Sequence, residues 1–564
     1  MARSVSTLPG YRPSALRQDL PAGLALTALL VPQGMAYATL AGLPAVTGLY
    51  TTIACLTAYA LVGPSRILVL GPDSSVSPLI FAALIPLGAA DDPETAIALA
   101  GMLAVIVGLM EVGLGAARFG FVASLLSKPV QIGYLNGLAL VIIAGQLPTL
   151  FGFSTDATTF AGEVSAFARG LDTADADALL VGLGTLAVLI GVSFLPARVP
   201  GVLIAVVGAT VVVSLFDLAA KGVPVVGELP QGLPRPALPW TDLSDVGPLA
   251  LAAVGIVLVS LADTIAVSTA FAARRGEHVD PDREIVAVGL GNVATGFFRG
   301  FAVSASSSRT AVAEESGSTS QVVGLVGAAT IALLLVAAPG LLKNLPNSAL
   351  AAVVIVAAFR LVDLRTLRRL ARARPTSLVL SLAATLGVVF LGVLEGVIVA
   401  VALSILFFFR RFWWPEDEQL GRVPGLRGWH SIERFPDAQT LPEVLLYRFE
   451  APLFFANARV FEERVRDLVR AADPPVETVV LQCEAISDID VTAADVLAEL
   501  HQELEDQGIE LVFVELRDRL QELLASYHLH GDVDEGPFYR SVKEALEATT
   551  GRRFKDLGLD DEPA

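Results

Sequence analysis

A series of long apolar segments constrains the fold of this chain more than any other feature of its sequence. Several approach the ~20 residues that an α-helix needs to cross the hydrocarbon core of a bilayer. With 54% hydrophobic residues over a length of 564, the chain is also too apolar for a soluble protein of this size. We therefore predict an α-helical polytopic membrane protein. Its fourteen predicted segments lie near residues 20–41, 43–62, 74–89, 95–114, 126–150, 178–196, 200–219, 247–268, 284–299, 304–314, 321–339, 347–359, 377–392 and 394–411.

The distribution of lysine and arginine predicts how these segments are oriented. Cytoplasmic loops are enriched in these residues, and their densest run lies at 360–374. This pattern places the N-terminal residues 1–19 in the cytoplasm, and an even number of crossings returns the chain to that side. The sequence thus predicts a transmembrane domain over 20–414 in the inner (plasma) membrane of the cell.

The acidic charge of the protein is confined to its C-terminal part. The formal net charge is −18, and residues 415–564 hold 33 acidic and 15 basic side chains, so the rest of the chain is neutral. Such an acidic segment does not favour binding to nucleic acid. We predict a separate cytoplasmic α/β domain over 440–550 and an acidic tail over 551–564. The predicted strands are 443–449, 453–455, 478–482 and 511–514, and the predicted helices are 457–471, 493–506, 517–526 and 539–548.

One polar segment interrupts the apolar part of the chain. Residues 301–315 read FAVSASSSRTAVAEE, and polar side chains persist in a bilayer only where they line a cavity or bind a ligand. A serine-rich turn before helix-forming residues predicts a short helix whose positive N-terminal end attracts anions. The sequence therefore predicts an anion site formed by Ser306, Ser307, Ser308 and Arg309.

A second segment of the same kind lies in the first half of the chain, where residues 71–77 read GPDSSVS. The spacing from Gln33 to Ser74 equals the spacing from Asp263 to Ser304, so both polar pairs recur with one offset and no gap. A seven-helix unit crosses the membrane an odd number of times, so two copies would be inverted and their interrupted helices would meet near the midplane. The predicted repeats cover about 20–220 and 247–411.

Further candidate ligands lie close to these interrupted helices. Ser74 and Ser75 are at the entry to the first one, and helix packing is their alternative role. Gln33 and Tyr37 are four residues apart on one helix face, so an amide and a phenol can reach the same anion. Interhelical hydrogen bonding is the alternative for this pair. The sequence Val-Pro-Gln-Gly at 31–34 predicts that their helix bends or breaks near mid-membrane.

Asp263 is the only acidic residue well inside the eighth segment. A carboxylate at the bilayer centre costs about 2.5–3.5 kcal/mol on insertion scales, so it indicates a function. One interpretation is proton coupling, in which an anion competing for Arg309 releases Asp263 to take a proton. Another is a permanent ion pair between these two residues. A third is a cation site formed by Asp263, Thr264 and Ser268, which is disfavoured because a sodium ion needs several oxygen ligands.

The motifs LVPQGMAYATLAGLP at 30–44, the entry at 71–78 and VSASSSRTAVAE at 303–314 resemble the sulfate permease (SulP) family, bacterial relatives of pendrin and prestin. The resemblance covers nearly the whole chain. It implies fourteen helices in two inverted seven-helix repeats that form core and gate domains. It also implies an elevator-like motion, a homodimer and a C-terminal STAS domain. Positions similar to Gln33, Tyr37, Ser306 and Ser308 touch the substrate in members of the family.

The STAS resemblance rests on CEAISDIDVTAADVL at 483–497. It implies a possible regulatory, phosphorylatable position at Thr492. Ala493 replaces the glycine that usually follows, which favours a plain helix N-terminal role for Thr492. Cys55 and Cys483 fall one in each part of the chain, so no structural disulfide is predicted.

These features predict a secondary active transporter of a small inorganic or organic anion, with sulfate as the first candidate and proton symport as the mechanism. The alternatives are a sodium-coupled bicarbonate transporter, a dicarboxylate transporter, or an uncoupled anion exchanger or channel. No P-loop is present and the histidines have no metal-ligand spacing, so we predict no enzyme activity, no cofactor and no metal site.

Overall fold

The computed structural model describes residues 11, 13–89, 92–120, 127–155, 157, 159–194, 201–240, 242–527 and 538–554. The predicted N-terminal segment and acidic tail lie largely outside these residues. The chain divides into two compact units, one up to Ser404 and one from Ile405 onward.

Long helices form nearly all of the first unit, because its apolar segments satisfy their backbone hydrogen bonds internally. The helices are α1 (Leu16–Leu40), α2 (Ala45–Val62), α3 (Ser77–Leu84), α4 (Pro93–Ala116), α5 (Lys128–Leu150), α6 (Phe160–Gly170), α7 (Ala176–Ser193), α8 (Gly201–Leu215), α9 (Leu243–Arg274), α10 (Pro281–Phe297), α11 (Ser307–Glu315), α12 (Val322–Ala337), α13 (Asn347–Leu361), α14 (Leu364–Ala373), α15 (Pro375–Leu391) and α16 (Val393–Trp413). The last of these, α16, begins in the first unit and ends in the second.

Each predicted apolar segment overlaps one of these helices, whereas α6 and α14 were not predicted because they are too short and too polar. Within the described ranges, six helices are long and apolar enough to cross a membrane by length and composition, namely α1, α2, α4, α5, α9 and the part of α16 up to Arg410.

The sequence predicted that α1 bends or breaks at 31–34, and the break is wrong, because the helix continues through Pro32 to Leu40. Gly34 packs against α2, where a Cβ added to Gly48 would lie 1.8 Å from the Gly34 carbonyl oxygen. The glycine therefore allows two helices to approach closely, as in other membrane helix pairs. Close packing against α2 therefore explains the glycine at position 34, and no break in the helix is needed.

A two-stranded sheet lies between the halves of the first unit. Strand β1 (Leu70–Gly71) pairs antiparallel with β2 (Ser304–Ala305). Strand β1 is followed by the short helix α3, which begins at Ser77, and β2 is followed by α11, which begins at Ser307. The number of residues from Ser77 to Ser307 equals the number from Gln33 to Asp263. The antiparallel pairing joins the two polar segments that the sequence singled out.

Small residues also hold α4 against α10. A Cβ added to Gly108 would lie 2.5 Å from the Gly289 carbonyl oxygen, and one added to Gly296 would lie 2.5 Å from that of Gly101. These backbones are therefore in direct contact, which brings the polar side chains of both helices within hydrogen-bonding distance.

The second unit is an α/β domain built on a six-stranded sheet. Its strands are β3 (Asp417–Arg422), β4 (Trp429–Ser431), β5 (Val444–Phe449), β6 (Thr478–Gln482), β7 (Glu510–Val514) and β8 (Phe538–Tyr539), in the order β4-β3-β5-β6-β7-β8. Its helices are α17 (Ala458–Ala471), α18 (Val491–Asp506), α19 (Asp518–Ser526) and α20 (Val542–Thr550). Strands β5 to β8 are parallel, whereas β3 and β4 are antiparallel to their neighbours.

The predicted strands that became β5, β6 and β7 and the four predicted helices are confirmed, but the predicted strand 453–455 is wrong. Leu453 makes only an isolated bridge to Ile489. The backbone N–H of Phe454 donates to Asn457 Oδ1 at 3.0 Å, and that of Phe455 to Asp490 Oδ2 at 2.9 Å. The backbone of this segment therefore donates to the side chains of Asn457 and Asp490 and not to a neighbouring strand.

Candidate functional site

The strand pair brings polar segments from both halves of the first unit together. The backbone N–H of Ser306 donates to the carbonyl of Val69 at 3.2 Å. In the other direction, the Val69 N–H donates to Thr310 Oγ1 at 3.1 Å. The entry to α3 and the start of α11 therefore form one cluster, although they are far apart in sequence.

Arg309 lies at the centre of this cluster and is fully buried. Its guanidinium donates to the carbonyl oxygens of Pro72 and Gly71, the latter at 3.1 Å. Its Nη2 also lies 3.5 Å from Asp73 Oδ2 in an ion pair. A Cβ added to Gly71 would lie 2.9 Å from Arg309 Nη1, so the glycine makes room for the guanidinium.

One interpretation of the sequence was a permanent ion pair between Asp263 and Arg309, and the described residues do not form it. Arg309 pairs with Asp73, and Asp263 instead accepts a hydrogen bond from Ser75 Oγ at 2.7 Å. Asp73 was missed as a site residue because the segment GPDSSVS was interpreted by its serines. An acidic residue one position before Ser74 in an apolar region was the signal that pointed to it.

The hydroxyl of Ser75 lies between two carboxylates. Its Oγ is 2.7 Å from Asp263 Oδ2 and 3.1 Å from Asp73 Oδ1. The Ser75 N–H also donates to Asp73 Oδ1 at 3.2 Å, and Tyr134 Oη donates to the Ser75 carbonyl at 3.0 Å. Since a hydroxyl has one proton to donate, it can satisfy only one of the two carboxylates at a time.

Helix α1 contributes Gln33 and Tyr37, and both side chains are buried. Tyr37 has the side chain of Ser74 as a hydrogen-bond partner and lies within electrostatic reach of Asp73 and Arg309. Tyr37 and Ser74 therefore border the Arg309 cluster, and their role as anion ligands stays a prediction.

Several buried polar atoms here have no partner among the described residues. They are Gln33 Oε1, Ser77 Oγ, Ser304 Oγ and Arg309 Nε. Buried polar atoms are normally hydrogen-bonded, so these atoms have the capacity to bind a polar ligand. The hydroxyls and the guanidinium are donors suited to an oxyanion, and an amide can present its nitrogen as well as its oxygen.

The serines at the start of α11 differ in their positions. Ser306 is buried, and its Oγ lies 3.2 Å from Ser308 Oγ. Ser306 is also the N-cap residue of α11, but its side chain makes no capping hydrogen bond. Ser307, in contrast, is exposed. Ser306 and Ser308 thus have hydroxyls at the positive end of a helix, where anions bind favourably.

The residues of the alternative cation site already have structural partners. Thr264 Oγ1 accepts the N–H of Ala305 at 3.4 Å, and Ser268 Oγ donates to the carbonyl of Ile265 at 3.3 Å. Within the described residues, no group of three or more His, Cys, Asp or Glu side chains is arranged to hold a metal ion. Thr264 therefore links α9 to β2.

A further acid inside the first unit was not singled out in the sequence. Glu111 on α4 is fully buried, and its Oε1 accepts from Ser260 Oγ at 2.8 Å. Its Oε2 accepts from Asn292 Nδ2 at 2.8 Å, and Asn292 Oδ1 accepts the N–H of Val303 at 2.7 Å. A polar network thus connects α4, α9 and α10 to the residue before β2.

In the second unit, Thr492 is exposed in the first turn of α18. The helix is capped by Asp490, whose Oδ1 accepts the N–H of Ala493 at 2.8 Å. Cys55 and Cys483 are both free and buried, and burial raises the pKa of the Cys483 thiol. A thiol in this environment is a packing group rather than a reactive one.

Comparison with known proteins identifies the family of the chain. A model of the sulfate permease family matches residues 16–384, and a STAS domain model matches residues 435–545. A protein named "Probable sulfate transporter" from Mycobacterium tuberculosis strain H37Rv is 42% identical over 538 residues. The match covers 95% of this chain and 96% of that protein. "Probable sulfate transporter 3.3" of Arabidopsis thaliana is 30% identical, over 90% of this chain and 84% of that protein.

Solved structures show the same fold. The murine anion transporter Slc26a9 in its inward-facing state matches with a TM-score of 0.88 at 24% identity, over 97% of this chain and 93% of that one. The transmembrane domain of the cyanobacterial bicarbonate transporter BicA matches with a TM-score of 0.61 at 20% identity, over 70% of this chain and 98% of that one. Since its relatives are transporters and the family models cover most of its length, the chain belongs to the sulfate permease family and carries a C-terminal STAS domain.

Proposed function

We propose that this protein is a secondary active transporter that carries a small oxyanion, with sulfate as the first candidate, together with protons. Relatives at 42% and 30% identity carry the name sulfate transporter. The Arg309 cluster supports anion binding, because a guanidinium, several hydroxyls and the start of α11 converge there. Candidate ligands are Gln33, Tyr37, Ser74, Ser75, Ser306, Ser307, Ser308 and Arg309.

The observation that carries proton coupling is the charge of this cluster. Two carboxylates, Asp73 and Asp263, lie on either side of the Ser75 hydroxyl, and one guanidinium faces Asp73. When all three groups are ionised the cluster has one negative charge in excess, and an arriving oxyanion adds to it. Uptake of a proton by Asp263 removes this excess, so anion binding and proton binding favour each other.

The Ser75 hydroxyl gives a route by which the two events communicate. When Asp263 is ionised, Ser75 donates to it over 2.7 Å. Once protonated, Asp263 can donate to Ser75 Oγ, and the serine proton then turns to Asp73 Oδ1, 3.1 Å away. Asp73 then depends less on Arg309 for stabilisation, so the guanidinium can interact with the anion.

The larger-scale parts of the proposal follow from the family and the sequence. We expect fourteen spanning helices in two inverted repeats, an elevator-like movement of the domain that contains α3 and α11, and a homodimer. We also expect a location in the cell inner membrane with the N-terminus and the STAS domain in the cytoplasm. The matching offset between the starts of the two half-helices, at Ser77 and Ser307, supports the repeat.

The test is uptake into proteoliposomes with labelled sulfate, bicarbonate and a dicarboxylate, each under an imposed proton or sodium gradient. We expect an acidic exterior to drive concentrative sulfate uptake and sodium at fixed pH to have no effect. A sodium ion could balance the same excess charge, so uptake driven by sodium alone would favour the bicarbonate-carrier alternative. Equilibration without accumulation under either gradient would indicate an exchanger or a channel.

A further inference from the structure

A stripe of arginines lies on one face of α14, in a part of the molecule that the anion site does not use. The stripe consists of Arg365, Arg368, Arg369 and Arg372. These positions are spaced i, i+3, i+4 and i+7, so the four side chains lie on the same side of the helix. All four are exposed, and together with Ala373 they border one open region of the surface.

Within the described chain, no acidic side chain forms an ion pair with any of these four arginines. Other basic residues of the same unit are paired, such as Arg275 with Glu314 and Arg299 with Glu94. Like charges three and four residues apart on a helix destabilise it. An external anion that neutralises several guanidinium groups at once would therefore reduce the repulsion within the stripe.

The chain holds α14 close to the ends of two apolar helices. Only two residues separate it from the end of α13 at Leu361, and only Arg374 separates it from the start of α15 at Pro375. Its N-terminus is fixed as well, because Asp363 Oδ1 accepts the N–H of Thr366 at 2.8 Å. The Asp363 N–H donates in turn to Asn136 Oδ1 on α5 at 3.1 Å.

The remaining face of α14 is apolar. Leu367 and Leu370 are partly buried, whereas Leu364 is 53% exposed. A short helix with leucines on one side and arginines on the other is typical of segments that lie in the plane of a membrane interface. Since α14 cannot move far from the ends of α13 and α15, we expect its arginines to lie at the level of the lipid headgroups.

We propose that the α14 stripe binds the phosphate groups of anionic phospholipids at the membrane surface. Guanidinium groups match phosphate oxygens in bidentate geometry, and clusters of four or more basic residues beside a membrane segment attract anionic lipids. A bound headgroup neutralises the stripe and fixes α14 together with the helices on either side of it. This inference does not depend on the identity of the transported anion.

The experiment compares the thermal unfolding midpoint of the purified full-length protein in detergent with added phosphatidylglycerol or phosphatidylcholine. We expect phosphatidylglycerol to raise the midpoint by several degrees and phosphatidylcholine to have little effect, because only a ligand bound to the folded state stabilises it. High salt should reduce the difference by screening the charges.

Substitutions in the stripe, with a matched control, test whether the stripe is responsible for the shift of the unfolding midpoint. Replacing all four stripe arginines by glutamine should remove most of the phosphatidylglycerol shift, whereas replacing them by lysine should retain part of it. A matched control replaces four exposed arginines of the second unit by glutamine and should keep the full shift. The control arginines are Arg427, Arg434, Arg470 and Arg519.

A full shift in the glutamine variant, or loss of the shift in the control, would overturn the proposal. An equal shift with inorganic phosphate alone would also overturn it, since the ligand would then be a free anion. If the fourfold variant does not fold, the pair Arg368→Gln and Arg369→Gln replaces it. Native mass spectrometry then counts the phosphatidylglycerol molecules retained, and an unchanged count contradicts the site.

Discussion

Two groups of polar residues inside the helical unit include positions on α9 that lie one turn apart, and their surroundings differ. The first group includes Asp263, and the second includes Ser260, which contacts Glu111 of α4. Asp263 shares the Ser75 hydroxyl with Asp73, which in turn faces Arg309. Glu111 contacts α9 through Ser260, and each of its oxygens accepts one hydrogen bond at 2.8 Å. The first group contains three ionisable side chains, whereas the described residues place no Lys or Arg in an ion pair with Glu111.

The two groups illustrate two roles for a buried acid in a membrane protein, which are ligand binding and the positioning of neighbouring backbone. Around Asp263 there are buried polar atoms without partners and a guanidinium, and in our proposal these groups bind the anion and Asp263 changes its charge. Around Glu111, the hydrogen bonds extend through Asn292 to the N–H of Val303, so this acid positions β2. We infer that the Asp263 cluster binds and couples, and that the Glu111 network keeps α9 in register with β2.

The largest effect that separates the two clusters is expected for Arg309→Ala. Breaking a buried ion contact costs about 3–5 kcal/mol, so anion affinity should fall by roughly two orders of magnitude or more. Calorimetric titration of the purified protein with sulfate measures this. Arg309→Lys keeps the charge and should bind more tightly than the alanine variant.

Because Arg309 also contacts Gly71 and Pro72, the alanine variant needs a folding control. The double variant Arg309→Ala with Asp73→Asn removes both charges of the ion pair together. It should recover thermal stability but not anion affinity. Affinity close to that of the wild type in either variant would place the anion site elsewhere.

The second expected effect is loss of coupling in Asp263→Asn. Asparagine keeps the shape of the side chain but cannot change its charge, so proton-driven accumulation should disappear while anion binding or exchange remains. Uptake into proteoliposomes with and without a proton gradient measures both.

Asp73→Asn is the matched comparison, since it changes the other carboxylate beside Ser75. It should bind the anion more tightly because Arg309 no longer has a competing carboxylate. It should still accumulate the anion because Asp263 remains, but with a weaker dependence on pH because the excess negative charge and the charged partner of the Ser75 relay are gone. Accumulation by Asp263→Asn would show that another group carries the proton.

A smaller effect is expected for Ser75→Ala. The hydroxyl is within 3.1 Å of both carboxylates, and a hydrogen bond to a charged group contributes about 1.5–3 kcal/mol. We expect weaker dependence of anion affinity on pH, measured by titration across a pH series. Ser75→Thr retains a hydroxyl and should behave more like the wild type; equal pH dependence in Ser75→Ala would exclude the relay.

The sequence predicted which segments meet but not all of the side chains that interact there. Serines and Arg309 at 304–309 and a second run of serines at 74–77 indicated one shared site, because polar residues persist in a membrane only where they line a cavity or bind a ligand. Strands β1 and β2 were not predicted, since two residues carry no periodicity. Glu111 and Tyr134 were missed because their partners lie on other helices or in the turn before α3, and no spacing along one helix reveals such contacts.

The smallest effect is expected for Glu111→Gln, and it tests the contrast most directly. Glutamine can accept from Asn292 through its oxygen and donate to Ser260 through its nitrogen. Ser260 Oγ then turns to the carbonyl of Val303, which is already 3.4 Å away. The network therefore remains connected, and we expect a loss of about 1 kcal/mol in stability, comparable to one hydrogen bond.

If Glu111 only positions β2, Glu111→Gln should keep proton-driven accumulation and the wild-type dependence of uptake on pH. Glu111→Ala is the control for the network itself, because it leaves the Ser260 and Asn292 donors without their acceptor and should lower the unfolding midpoint more. Loss of accumulation in a stable Glu111→Gln protein would make Glu111 a second coupling residue. The distinction between the two acids would then fail, since an acid without a paired cation would also be coupling proton movement to the anion.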